Sequence, residues 1–171
     1  MRLSSGVRAI AGRRSECELQ LERAAELARG TVLHVQISVA LLRGTLDADD
    51  DPDAAMASLR DAIELGERHA VMPDILANAY EAVAAIWIAD GRTVDAAILM
   101  GAVDRIRAAV GAHRDRFGAE RREHVRSTLD TSISPTEFDA LAARGRALSR
   151  DELRRFALGE YDPVPRVAEH G

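Results

Sequence analysis

The segment from Pro73 to Asp90 constrains the fold most, because it is apolar on nearly every side of a helix. Ile75, Leu76, Ala79, Tyr80, Val83, Ala84, Ile86, Trp87 and Ile88 leave almost no face for water. A helix of that kind has to be enclosed by other elements, and the spacing predicts it as the centre of the core. The rest of the chain supplies those elements as further helices with legible ends. Ser15 and Glu18 make a capping-box pattern, in which hydroxyl and carboxylate satisfy free backbone N–H groups at a helix start. The helix they open is expected to run to Arg29 and stop at Gly30, with Cys17, Leu21, Ala24 and Ala28 on one buried face. A second helix is expected from about Val32 to Leu46, followed by the acidic run 47–51.

Asp51 can cap a third helix and Pro52 can fill its first turn, where a missing N–H costs nothing. Ala55, Leu59, Ala62 and Ile63 give its apolar stripe as far as about His69. Gly91 closes the enclosed fourth helix. Thr93 is expected to cap a fifth, with Ala96, Leu99, Met100, Val103 and Ile106 inward, ending at Gly111. A weaker, Arg-rich sixth helix spans roughly 119–129. Ser134 with Glu137, and Ser149 with Glu152, open two short helices that bury Phe138, Leu141 and Ala142, then Leu153 and Phe156. Aromatic residues are only 4% of the chain, which also favours helices over a sandwich or barrel.

Laid on itself at an offset of 42 residues, the chain pairs Leu33 with Ile75, Ala40 with Ala82, Leu41 with Val83, Asp53 with Asp95 and Ala54 with Ala96. Such a period marks stacked helix hairpins, since one hairpin cannot bury its own apolar face. In the second copy, Tyr80, Val83, Ala84, Trp87, Gly91, Ala96 and Met100 resemble the tetratricopeptide pattern. The first copy departs from it, with Ser38, Thr45 and Asp49 in place of the two aromatics and the turn glycine. The expected fold is therefore all-α: a degenerate tetratricopeptide-like α-solenoid of about eight helices. Residues 15–160 form its single domain, between a flexible basic N-terminus (1–14) and a flexible tail (161–171).

A closer likeness lies in the run from Asp95 through Leu99-Met100-Gly101-Ala102, together with the run from Phe138 through Gly145-Arg146-Ala147-Leu148-Ser149 to Leu153. These are similar to the C-terminal helical repeats of actinobacterial LuxR-type multidomain signal-transduction ATPases. The resemblance implies a regulatory module that receives a partner or signal; the family's ATPase and DNA-binding activities are not expected of this chain, and a lone cysteine with no bilayer-spanning run gives the expectation of a cytoplasmic setting. No GxxxxGK[ST] loop exists in a chain without lysine. All 23 basic residues are arginine and asparagine occurs once, which we read as the codon bias of a GC-rich bacterial genome.

In repeat arrays of this type, ligands lie on the concave face made by the first helix of each pair. Helical phase nominates Gln36, Val39 and Arg43, with Asn78, Glu81 and Ala85 one repeat on. A protein partner is expected there, while a homodimer is expected to close the N-terminal end of the array, which carries no evident polar capping repeat. A net charge of −5 disfavours a phosphate-gripping role. The alternative, nucleic-acid binding, would use Arg114, Arg116, Arg121, Arg122 and Arg126. Asp115, Glu120 and Glu123 stand at helical spacing to pair with them instead.

The remaining chemistry-bearing residues make no catalytic or metal constellation, and no cofactor is expected. Asp47, Asp49 and Asp51 are spaced like a calcium loop, but Pro52 and Ser58 occupy the positions that need Gly and Glu. His113 and His124 lack the spacing that puts two ligands on one helix face. Cys17, alone in the chain, is read as a small buried hydrophobe. No segment is apolar enough over 18 residues to span a bilayer.

Overall fold

Ten of the seventeen residues of the enclosed helix are buried in the computed structural model, from Leu76 and Ala77 at one end to Ile86 and Trp87 at the other. The structure describes residues 16–24, 26, 33–69, 73–110 and 116–163. Among them it is all-helical, without strands. In order come α1 (16–24), α2 (Leu33–Asp47), α3 (Pro52–Arg68), α4 (Pro73–Ala89), α5 (Thr93–Val110), α6 (Arg116–Ser132), α7 (Pro135–Ala147) and α8 (Arg150–Ala157).

From α2 to α5 successive helices pack side by side, joined by short connections. Asp51 accepts from the Ala54 N–H and Pro52 occupies the first turn, starting α3 as expected. Gly91, at φ +74°, ends α4: the Arg92 N–H reaches the Trp87 carbonyl at 2.7 Å and the Gly91 N–H reaches Ile88 at 3.1 Å. That double bond pattern satisfies the last carbonyls of the helix and needs a left-handed residue, which glycine adopts without steric cost. Thr93 proves to be the first residue of α5 rather than its cap.

Alternate helices then meet across the hairpins. α4 touches α2 on one side and α6 on the other, while α8 lies against α3 and α5. Trp87 and Phe156, both 2% exposed, pack edge to face with ring centroids 5.0 Å apart. This contact pins the short C-terminal helix to the central one. Each such side chain stabilises by roughly 1.5–3 kcal/mol through apolar area removed from water.

α5 is buried on more sides than its single expected stripe, since Ala97, Ile98 and Ala102 are enclosed along with Ala96, Leu99, Met100 and Val103. The reason is α7, which crosses α5 in backbone contact. A Cβ built on Gly145 would lie 1.7 Å from the Ile98 carbonyl oxygen, and one on Gly101 would lie 2.2 Å from that of Ala142. Only residues without a side chain fit there. Arg105 fastens the crossing by donating from Nη1 to the carbonyls of Arg146 (2.9 Å) and Leu148 (2.7 Å), at the end of α7.

Several expectations change. α6 runs well beyond 119–129 at both ends, and Phe138 is half-buried rather than enclosed. Cys17 is exposed, as are all of residues 16–20, so the first stripe is not covered along this stretch; Leu21 and Ala24 are half-buried. Tyr161, expected in the tail, is half-buried against the core, with the Arg155 guanidinium 5.7 Å from its ring centroid. Residues 1–14, the Ser15 cap, Ala28, Arg29, Gly30, Gly111 and His113 lie outside the described residues.

Candidate functional site

Glu81 is the residue whose place differs most from expectation. It sits in the middle of α4, fully buried, and its carboxylate faces inward to α5 and α6. Arg107, near the end of α5, donates from Nε to Oε1 at 2.8 Å and from Nη2 to Oε2 at 2.9 Å. Arg122 of α6 adds a bond from Nη1 to Oε1 at 2.6 Å and reaches Asp104 of α5 with Nη2. Glu81 is thus unavailable to a partner molecule. A carboxylate carried into a core needs compensating charge and hydrogen bonds, and two guanidiniums supply both.

The rest of the arginine cluster is drawn into the same junction. Arg126 is 3.6 Å from Asp104, and its guanidinium lies 4.8 Å from the Phe138 ring centroid. Arg121 reaches the Thr45 hydroxyl and the Asn78 carbonyl, each at 3.4 Å, linking α6 to α2 and α4. The Asn78 side chain accepts from Arg107 at 2.7 Å. The described ion pairs of Arg122 and Arg126 therefore go to other helices rather than along α6 to Glu120 or Glu123. Burial pulls the Arg122 pKa down, but hydrogen bonds and charge from Glu81 and Asp104 outweigh it and hold the group above its ordinary value. Arg114 lies outside the described residues, as does the side chain of Arg116.

Sequence reading missed Arg107 and Asp104. The signal was present: Glu81 is the one ionisable carboxylate inside the apolar stretch Ile75–Ala89, and such a group demands a cation from a neighbouring element.

The other nominated residues stay nearer the surface. Gln36, Val39 and Arg43 lie half-exposed on α2, and Ala85 is half-buried against the core. α2 shows an unusual distribution: only Ile37 and Gly44 are buried, while Leu42 is 54% exposed. Gly44 lies where an added Cβ would meet Leu59 and the Ala55 carbonyl, which turns this side of α2 onto α3. Leu42 points away from it.

A polar cleft of about 490 Å³ opens between the end of α3 and the start of α8, lined by Glu64, Glu67, Arg68, Arg150, Asp151 and Arg154. Four of its six charges pair with one another. Arg150 pairs with Glu67, Arg154 is 3.2 Å from Asp151, and the buried Tyr80 hydroxyl donates to Glu67 at 2.9 Å. Burial first, and then the Glu67 carboxylate, push the Tyr80 phenol far above its ordinary range, so it stays protonated while the fold persists.

Among the described residues, no three His, Cys, Asp or Glu side chains gather as metal ligands, and no helix is long and apolar enough to cross a membrane. Asp51 is committed as the cap of α3. No protein-family model, curated protein or solved structure matches this chain.

Proposed function

We propose that this chain is a non-enzymatic protein-interaction module, a helical-repeat regulatory region of the kind that accompanies LuxR-type signal-transduction ATPases but without their catalytic and DNA-binding parts. The observation that carries the reading is the outward face of α2, where Leu42 stands more than half exposed beside half-buried Val39 and Leu46. Contiguous apolar surface left on a well-packed helical domain marks a place where another protein sits. The alternation of contacts, α2 with α4 and α4 with α6, is the arrangement a tetratricopeptide-like array would have. The two runs that carry the family likeness supply the glycines of the α5–α7 crossing, so the resemblance draws on residues with a packing reason to be there.

The nucleic-acid alternative draws little support from Arg122 and Arg126, whose charges are spent on Glu81 and Asp104. An enzymatic reading draws little from the cleft beside α8, where Arg150, Arg154 and Tyr80 are already bound to carboxylates.

The test is a pull-down from native lysate with the immobilised full chain, run beside a Leu42→Arg variant. Retention of a specific protein, or of the untagged chain itself, by the parent and not by the variant is expected. Identical profiles, or no retained protein at all, would count against the interaction role.

A further inference from the structure

α8 is docked far from its neighbours in sequence. Two residues join it to α7, Leu148 (φ −59°, ψ 133°) and Ser149 (φ −64°, ψ 167°), both in extended backbone that any side chain adopts without strain. Its packing partners are instead α3 and α5, with Trp87 of α4 against Phe156. It brings Leu153, Phe156 and Ala157 to the core, where α4 brings ten residues.

Both ends of α8 are sealed by its own residues. The Ser149–Glu152 capping box closes the start. At the finish Gly159, at φ +74°, lets its N–H reach the Phe156 carbonyl at 2.9 Å and the Glu160 N–H reach that of Arg155 at 2.7 Å. Among the described residues, arginine side chains make the polar links from this segment to the other helices. Arg105 of α5 holds the hinge by the Arg146 and Leu148 carbonyls. Arg150 binds Glu67 of α3 at the start of α8. Arg60 of α3 binds the Glu160 carboxylate and the Leu158 carbonyl, each at 2.9 Å, at its end.

We infer that α8 is a hinged strap, which lifts as one unit about Leu148 and Ser149, uncovers Trp87, and closes again while α2 to α5 stay folded. This goes beyond the interaction role and does not depend on the outer face of α2. The parts of a fold that open first are those with few buried apolar contacts and with hydrogen bonds that water can reach. α8 has both properties: its apolar anchor is small, and the side chains of Arg60, Glu160 and Arg150 are 42%, 41% and 55% exposed. Lifting it also strands no backbone N–H of the core, because the links it breaks are arginine side chains on carbonyls and carboxylates that water can replace.

A free helix of eight residues is marginal in water, so the α8 amides are protected only while the helix is docked. Hydrogen exchange therefore counts openings directly. Exchange of the full chain, followed by mass spectrometry of peptic fragments and corrected for intrinsic rates, should show 151–158 exchanging well ahead of fragments within α4 and α5. Arg105→Met frees the hinge and should speed the α8 fragment by roughly two- to tenfold, the range for a lost hydrogen bond, without moving α4. Because Arg105 also fastens α7 to α5, Arg60→Met at the far end is the second variant, and it should speed the same fragment by a similar factor. An α8 that exchanges only in step with α4 in the parent chain overturns the strap, and that comparison stands even if a variant does not fold. Variants that speed α4 and α8 equally overturn it too, since the arginines would then be holding the whole fold.

Discussion

Arg107 grips both oxygens of the buried Glu81 carboxylate, whereas Arg122 binds only an oxygen that Arg107 already holds. The two arginines are therefore not equivalent. Arg107 alone can neutralise Glu81 and tie α5 to α4, and Arg122 then attaches α6 to a pair that is complete without it. Arg107→Met leaves Glu81 Oε2 without its guanidinium and Arg122 as the remaining counter-charge; it should cost up to about 3–5 kcal/mol, the range for breaking a buried ion pair, and Arg122→Met clearly less. Replacing Glu81 and Arg107 together, by Leu and Met, should recover much of the loss, because the desolvation of both charges is then avoided. Urea unfolding of the four proteins checks the order, and equal losses for the two arginine variants would contradict it.

At the α5–α7 crossing the prediction is steric. Gly145→Ala and Gly101→Ala place a methyl group into backbone carbonyls, which cannot rotate aside. Alanine gains about 1 kcal/mol over glycine in helix propensity, but forcing the helices apart costs roughly 1–3 kcal/mol or more. A net fall in melting temperature is expected for both. Gly66→Ala is the control, since the three atoms nearest its Cβ all belong to the Leu76 side chain, the first at 2.7 Å, and that side chain can turn. It should be much closer to neutral in the same thermal melts.

Phe156 should be as important to α8 as any residue of that helix. Phe156→Ala removes a side chain that is 2% exposed and uncovers Trp87. A loss of about 3–5 kcal/mol is expected from the lost transfer energy and the cavity left behind. Trp87 is the only tryptophan, so its fluorescence reports the event directly: emission should move to the red in the folded variant, and an unchanged maximum would mean that Trp87 is shielded by other groups.

How far these features could be read in advance depended on whether their cause was local. The end of α4 at Gly91, the start of α3 at Asp51 and the enclosure of Trp87 follow from residues within a few positions of one another, and the sequence shows them. So does the inward stripe Ala96, Leu99, Met100 and Val103. The crossing of Gly101 with Gly145 depends on two helices distant in sequence, and nothing local marks a glycine in a helix as a contact rather than a weakness. The same holds for Glu81: helical phase set it on one face with Asn78 and Ala85, but only the fold brings Arg107 and Arg122 to it. The expectation of a buried Cys17 fails for a related reason. Its spacing gives the correct helix face, yet a face is buried only if some element lies over it.

The cap of α8 ties stability to pH. The Ser149 hydroxyl accepts from the Glu152 N–H at 3.3 Å, and the Glu152 carboxylate accepts from the Ser149 N–H at 2.8 Å. Hydrogen bonding to the carboxylate, from the Ser149 side chain first and from the Ser149 backbone N–H next, holds the Glu152 pKa below its ordinary 4.5. A carboxylate with a lowered pKa in the folded state stabilises fully above its unfolded value and loses that contribution as pH falls through the folded one. α8 should therefore loosen below about pH 4.5, and Glu152→Gln, which keeps an acceptor but cannot titrate, should flatten that part of the profile. Trp87 fluorescence, through its contact with Phe156 on the same helix, follows the change. If the parent and Glu152→Gln chains show the same acid profile, the capping box does not govern how α8 responds to acid.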